Sequence, residues 1–227
     1  MTDVLTVIAI AVIALAIVAL GWWLLIASEG VYLGRRVVIW LYDVYAGRYD
    51  DIKQYRRDIE HQFLAQPILD EFAPRTDPLV LDVATGTGRL PLALVRHARF
   101  NGRVIAADLS REMLIRAADK LDDASNVAFA LAAAEHLPFP DATFELVTCL
   151  EAIEFMARRE PVLEELMRVL RPGGLLLLTN RINTRLMPGK TYSEDALVEA
   201  LSEYDTESIY IEHWQVDYDL VWVRKSA

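Results

Sequence analysis

The stretch Leu79–Leu94, LVLDVATGTGRLPLAL, decides how this chain folds. Leu79, Val80, Leu81 and Val83 form an apolar run of strand length, and Leu90 to Val95 resumes at helical spacing. Between them Gly86 and Gly88 supply a turn with no side chains in the way, so a nucleotide-like ligand can rest against bare backbone. The dinucleotide fingerprint asks for a third small residue three positions after the second glycine, to let helix and strand pack closely. Pro91 stands there, which argues against a nicotinamide dinucleotide.

Working outward, apolar segments near 79–84, 103–107, 126–130, 144–149 and 174–179 alternate with helical segments. That alternation predicts a parallel, doubly wound α/β sheet. RVIAADLSREML, Arg103 to Leu114, reads as a strand ending in Asp108, with Ser110 as the N-cap of the following helix. An acid twenty residues past Gly88, at the end of a neighbouring strand, is placed to accept hydrogen bonds from vicinal ribose hydroxyls; a helix-capping carboxylate is the other reading. Pro161 to Leu170 carries Val162, Leu163, Leu166, Val169 and Leu170 on one helical face, as a scaffold helix should. RVLRPGGLLLLTN, Arg168 to Asn180, reads as a helix end, a Pro-Gly-Gly turn and a buried strand. SIYIEHWQ (Ser208 to Gln215) and YDLVWVRK (Tyr218 to Lys225) flank Val216-Asp217 as a hairpin.

Asp82 followed by Ala84 and Gly-Thr-Gly, Asp108, the loop AEHLPFPD (Ala134 to Asp141) and Leu170–Gly174 occur in the order found in class I S-adenosylmethionine (SAM) methyltransferases. Residues 48 to 227 resemble the ubiquinone and menaquinone methyltransferase group of that family. The resemblance implies a seven-stranded, mostly parallel Rossmann-like sheet with an antiparallel last strand, and SAM as cofactor. It assigns cofactor contacts to Asp82, Ala84, Thr85, Gly86, Gly88, Asp108, Leu109, Met113, Ala134, Glu135 and Cys149. Two positions depart from the family: its usual glycine is Ala84, and its usual adenine-binding aspartate is Ala133, so that Glu135 or backbone around Ala134 stands in. CLEAIEF, Cys149 to Phe155, is similar to the Glu-x-x-Glu-His element of ubiquinone O-methyltransferases. Glu151 and Glu154 are thereby the candidate bases, one helical turn apart, with solvent-facing glutamates as the plain alternative. The histidine of that element is Phe155, and no metal is expected. His136 and His213 are further candidate bases, and Cys149 equally suits a small buried hydrophobe.

From Val4 to Ala27 no charged residue occurs, a stretch of roughly 36 Å as a helix against a hydrocarbon core of about 30 Å. Residues 4–27 therefore read as a transmembrane helix, longer than a signal-peptide apolar region and with no basic residue before it. Trp22 and Trp23 suit the interface, and Arg35 and Arg36 follow whereas only Asp3 precedes, which places the remainder in the cytoplasm. Residues 28–50 form an aromatic-rich juxtamembrane segment that lies either along the bilayer or against the domain. Enzymes of this group use the segment before the first motif as part of a lid, making Tyr45 and Tyr49 candidate pocket walls. Residues 51–227 form the methyltransferase domain, long enough for one full core.

The chain holds 33 acidic and 23 basic residues, for a formal charge of −10, and no Lys/Arg cluster offsets it. A phosphate backbone would be repelled, so nucleic acid is not the expected substrate. The single cysteine excludes an internal disulfide, and no Cys/His zinc spacing occurs. A small, lipophilic acceptor such as a quinone intermediate or lipid accords with the apolar helix, which serves equally to tether the enzyme to a membrane partner. A NAD-dependent reductase and a non-catalytic SAM-binding scaffold are the alternatives. Oligomeric state is not legible.

Overall fold

The computed structural model of the protein describes residues 2–227. Helix α1 (Thr2–Trp22) runs on through a wide π-turn at Trp23–Ala27. Together they give a helix, Asp3–Ala27, long and apolar enough to cross a membrane, and its apolar stretch is not buried against the rest of the chain. After a turn, α2 (Arg35–Tyr45), α3 (Tyr49–Lys53), α4 (Arg57–Glu60) and α5 (Gln66–Phe72) lead to the sheet.

Strands and helices then alternate: β1 (Leu79–Val83), α6 (Arg89–Val95), β2 (Arg103–Asp108), α7 (Arg111–Lys120), β3 (Val127–Leu131) and β4 (Phe144–Cys149). They are followed by α8 (Glu160–Val169), β5 (Leu170–Arg181), α9 (Glu194–Ser202) and the hairpin β6 (Thr206–Gln215) and β7 (Tyr218–Lys225). One seven-stranded sheet results, in the order β3-β2-β1-β4-β5-β7-β6. Pairs from β3 to β5 are parallel, whereas β7 runs antiparallel to both β5 and β6. The expected fold class is therefore present, the seventh strand lying between β5 and β6.

Central strands are buried on both faces, as a parallel sheet covered by helices requires. Leu146, Leu175 and Leu177 point into a core with Leu64, Leu69, Leu90 and Leu94, whereas Val147, Leu176 and Leu178 point into the opposite core with Leu163 and Leu166 of α8. The period of two along each strand sends alternate leucines of Leu175–Leu178 to opposite layers. One local expectation is corrected: the Pro-Gly-Gly segment is a bulge within β5 rather than a turn before it. Phe144 pairs with Leu170 and Leu146 with Leu175, so four residues are looped out. Gly173, at φ +68°, donates its N–H to Ser226 O at 3.0 Å.

Candidate active site

The strand order reverses direction at β1, which has β2 on one side and β4 on the other. Turns leaving adjacent strands diverge at such a point and open a crevice at their carboxyl ends. The main cavity is here, lined by Asp82, Ala84 to Thr87, Asp108 to Ser110, Ala132, Ala134, Glu135, Leu150 and Glu151 among others. These come from the ends of β1, β2, β3 and β4, four segments far apart in sequence.

Left-handed residues build the turn after β1: Ala84 at φ +56°, Gly86 at +55° and Gly88 at +79°. The two glycines act differently. Gly86 faces the cavity, and a Cβ built there would lie 3.9 Å from the Tyr49 ring. Gly88 lies outside the lining; a Cβ there would stand 3.1 Å from both Ala117 and Leu121, so its bareness lets α7 approach α6.

Two buried carboxylates organise this floor. Asp82 accepts the hydroxyls of Thr85 and Thr148, each at 2.6 Å. Burial raises its pKa to about 6 in spite of those two hydrogen bonds. Asp108 accepts the N–H of Gly86 and of Ser110, both at 2.8 Å. Burial raises its pKa too, and the backbone N–H donors pull it back. With one oxygen on each of these N–H groups, Asp108 ties the β1 turn to the β2 turn.

Residues 28–53 cover this crevice and pack on the domain. The Ser110 hydroxyl caps α7 by accepting from Met113 N (3.1 Å) and donates to Asp43 (2.5 Å). Thr87 Oγ1 and Lys120 Nζ both donate to Asp50, at 2.5 and 2.7 Å. Arg35 pairs with Glu135 at 3.6 Å. Ser110, Thr87 and Glu135 belong to the loops that line the cavity, whereas Lys120 ends α7. Tyr42 and Tyr49, ring centroids 6.0 Å apart, form the lid's inner wall. Tyr45, expected there, faces a separate cavity on the other side of these rings, and Tyr42 takes its place. Tyr55 and Arg89 also line the site and were not anticipated. Arg89 follows the glycine turn directly, but only the packed fold shows what it meets.

The carboxylate pair after β4 is not the paired arrangement expected. Ile153–Phe155 is a single 3₁₀ turn rather than an α-helix, and Glu151, before it, and Glu154, within it, face different recesses. Glu151, at φ +50°, lines the main cavity. Its Oε1 accepts from Arg89 (2.5 Å) and its Oε2 from Lys53 (3.1 Å). Arg89 is in turn held by Glu60 through Nε (2.6 Å) and Nη2 (2.9 Å), and lies over the rings of Tyr55 and Trp214. Burial works against the Lys53 ammonium, yet Glu151 holds its pKa above the usual lysine value. Two cations thus hold the Glu151 carboxylate. Glu154 lies behind the cavity, where Tyr218 O–H donates to it at 2.5 Å and Arg181 stands 3.8 Å away; burial raises its pKa.

Asp82, Ala84, Thr85, Gly86, Asp108, Leu109, Ala134, Glu135 and Glu151 thus meet around one cavity. Gly88, Met113, Cys149 and Glu154 stand outside its lining. Met113 and Cys149 are fully buried in the packing beneath, where burial pushes the Cys149 thiol up. His136 and His213 are exposed, His213 against Asp219 at 3.1 Å.

Residues 81–178 match the family described as a methyltransferase domain. The ubiquinone/menaquinone biosynthesis C-methyltransferase UbiE of Hahella chejuensis is 32% identical over 177 residues, covering 74% of this chain and 71% of the relative. The protein of that name from Cellvibrio japonicus is 35% identical over 136 residues, 59% of this chain and 55% of the relative. Among solved structures, a SAM-dependent methyltransferase from Aquifex aeolicus superposes with a TM-score of 0.62 at 22% identity, over 80% of this chain and 97% of its own. The cyclase SpnF superposes at 0.59 and 18% identity, over 72% and 81%, so the fold alone does not specify methyl transfer. The sequence relationship does specify it, against a NAD-dependent reductase: with a crevice of this construction and a relative matched over most of its length, the chain belongs to the class I SAM-dependent methyltransferases and resembles the ubiquinone/menaquinone C-methyltransferases.

Proposed function

We propose that this chain is a membrane-anchored methyltransferase that methylates a ring carbon of a lipophilic, quinol-like acceptor. The observation that carries the reading is the attachment of the cavity's lid to the foot of the apolar helix. Trp23 Nε1 donates to Leu186 O (3.2 Å), Tyr32 O–H donates to Pro188 O (2.7 Å), and the two rings stack with centroids 5.0 Å apart. An acceptor leaving the bilayer beside this helix would meet the lid first. The carbon acceptor follows the printed names of the relatives.

The residues present suit SAM. Asp108 would accept the ribose hydroxyls, Gly86 would leave room beneath Tyr49, and Ala134 with Glu135 would border the adenine. Asp82, buried and raised in pKa, meets a positively charged part of the cofactor. Bound SAM supplies an electrophilic methyl on a sulfonium, whose carbon–sulfur bond breaks with the electron pair going to sulfur as the new bond to the acceptor forms. The chain's own part is alignment: the lid excludes water, and Tyr42 and Tyr49 hold the acceptor in line. A methylated ring carbon would release its proton to water as the lid opens and the product leaves, so this reading assigns no base to Glu151 or Glu154.

Full-length protein in nanodiscs, supplied with methyl-labelled SAM and a total lipid and quinone extract, is expected to yield one labelled lipid-soluble product. SAM binding without label in the lipid phase rejects the lipophilic acceptor. Asp108→Asn, which keeps one acceptor oxygen for the turn N–H groups, is expected to weaken SAM binding at least tenfold by calorimetry while the protein stays folded; unchanged affinity rejects the ribose assignment.

A further inference from the structure

A second cavity of about 290 Å³ lies on the opposite side of the tyrosine wall. Its apolar lining comes from Leu25 and Ile26 in the last turn of the membrane-type helix and from Leu41, Tyr45 and Ile52 of the lid. Tyr42 and Tyr49 line both this cavity and the main one. Lys53 lines it as well, and its ammonium reaches across to Glu151 in the main cavity. Glu29 lines the second cavity too and accepts the Tyr42 hydroxyl at 2.8 Å, so the two spaces are neighbours across two aromatic rings, that hydrogen bond and one ion pair.

The mouth is apolar and open. Ile52 is 60% exposed, Ile26 49% and Leu25 37%, so the rim is partly open. An apolar rim of this kind marks a binding surface. It sits one turn past Trp22 and Trp23, the residues that mark the bilayer interface in the membrane-anchored reading. The contacts of Trp23 and Tyr32 to the Leu186–Pro188 loop hold that level fixed relative to the domain.

We propose that this second cavity is the acceptor's entry and tail site: it takes the isoprenoid or alkyl tail of a bilayer-borne quinol, while the head group passes between Tyr42 and Tyr49 to the main cavity. The inference rests on the lipophilic-acceptor reading and adds to it a location and a route. Continuity with the membrane helix selects a bilayer molecule as occupant, and the shared tyrosines select one whose head reacts next door. Opening this passage means breaking the 2.8 Å hydrogen bond from Tyr42 O–H to Glu29 and rotating two rings that pack on Phe155 and Tyr55.

The test uses full-length protein in phosphatidylglycerol/phosphatidylcholine nanodiscs and a 1,4-benzoquinol with a farnesyl-length tail carrying a diazirine. Photolysis is expected to label residues within 25–27 and 41–53, and excess tailed quinol is expected to compete whereas tail-less quinol does not. Ile52→Trp and Leu25→Trp, both at exposed rim positions, are expected to raise KM for the tailed quinol tenfold or more. SAM affinity and kcat with the tail-less quinol should stay within twofold. Label that phospholipid alone competes away assigns the cavity to a structural lipid and overturns the proposal, as does an unchanged KM in both variants. Tailed quinols methylated by a wild type labelled elsewhere overturn the cavity assignment alone. A wild type that methylates only water-soluble acceptors overturns the lipophilic reading with it.

Discussion

Ala84 stands at φ +56° in the first position of the cofactor turn, where a Cβ crowds its own backbone and glycine does not. The family's usual glycine is thus explained by conformation, and the departure is a strain of about 1 kcal/mol. Ala84→Gly is expected to stabilise the full-length protein by roughly 0.5–1 kcal/mol, read as a rise in melting temperature. A fall would mean that the Ala84 methyl, packed against the α8-side core, outweighs the strain. Asp82 carries the pH dependence. Its pKa is near 3.8 unfolded and about 6 folded, so both states are protonated below the lower value, and above it the folded state retains a proton the unfolded chain has lost. Its contribution to stability therefore falls as pH rises from about 4 to about 6 and levels off above, by roughly 3 kcal/mol. Urea unfolding of wild type and Asp82→Asn should show their difference moving by up to that amount across the window, in the direction of a less stable wild type at higher pH; a constant difference rejects the assignment. Asp82 and Asp108 were legible because an acid at a strand's end is visible in the sequence. The partners of Glu151 were not legible, because Arg89 and Lys53 lie 62 and 98 residues earlier.

The lid is the element whose behaviour the sequence left open. Aromatic residues at helical spacing serve a bilayer face or a packed face equally well, and only the position of polar partners separates them. Asp43, Asp50 and Lys53 each find a partner on the domain, so α2 and α3 lie on it, with Trp40 and Val44 left facing outward. Tyr42 joins Tyr49 in lining both cavities, whereas Tyr45 lines the second one and not the first. Asp50 latches the lid to both Thr87 and Lys120. Asp50→Ala is expected to weaken SAM binding roughly fivefold, the effect of about 1 kcal/mol of hydrogen bonding, and to speed hydrogen exchange across 35–53. Unchanged exchange and affinity together would show that the latch holds nothing closed.

Across the whole molecule, apolar periodicity made the strands, the helices between them and the long N-terminal helix readable, because each depends on burial patterns within ten to twenty-five consecutive residues. The glycine turn, the acid after β2 and the loop after β3 were equally local, and their order pointed to the family before any coordinates. The acidic balance of the chain, 33 carboxylates against 23 basic side chains, likewise needed only counting to disfavour a polyanionic substrate. Tertiary structure alone decided which of these residues share the crevice. Strand order brings β1 between β2 and β4, which joins Asp82, Asp108 and Glu151 around one space and leaves Cys149 and Glu154 behind it. It also decided that Glu60, Arg89, Glu151 and Lys53 form one ion-pair chain, and that the foot of the apolar helix closes a second cavity against the lid. The physical reason is range: propensity and periodicity report how a residue sits relative to its sequence neighbours, whereas a site is made of side chains brought together by sheet order and packing.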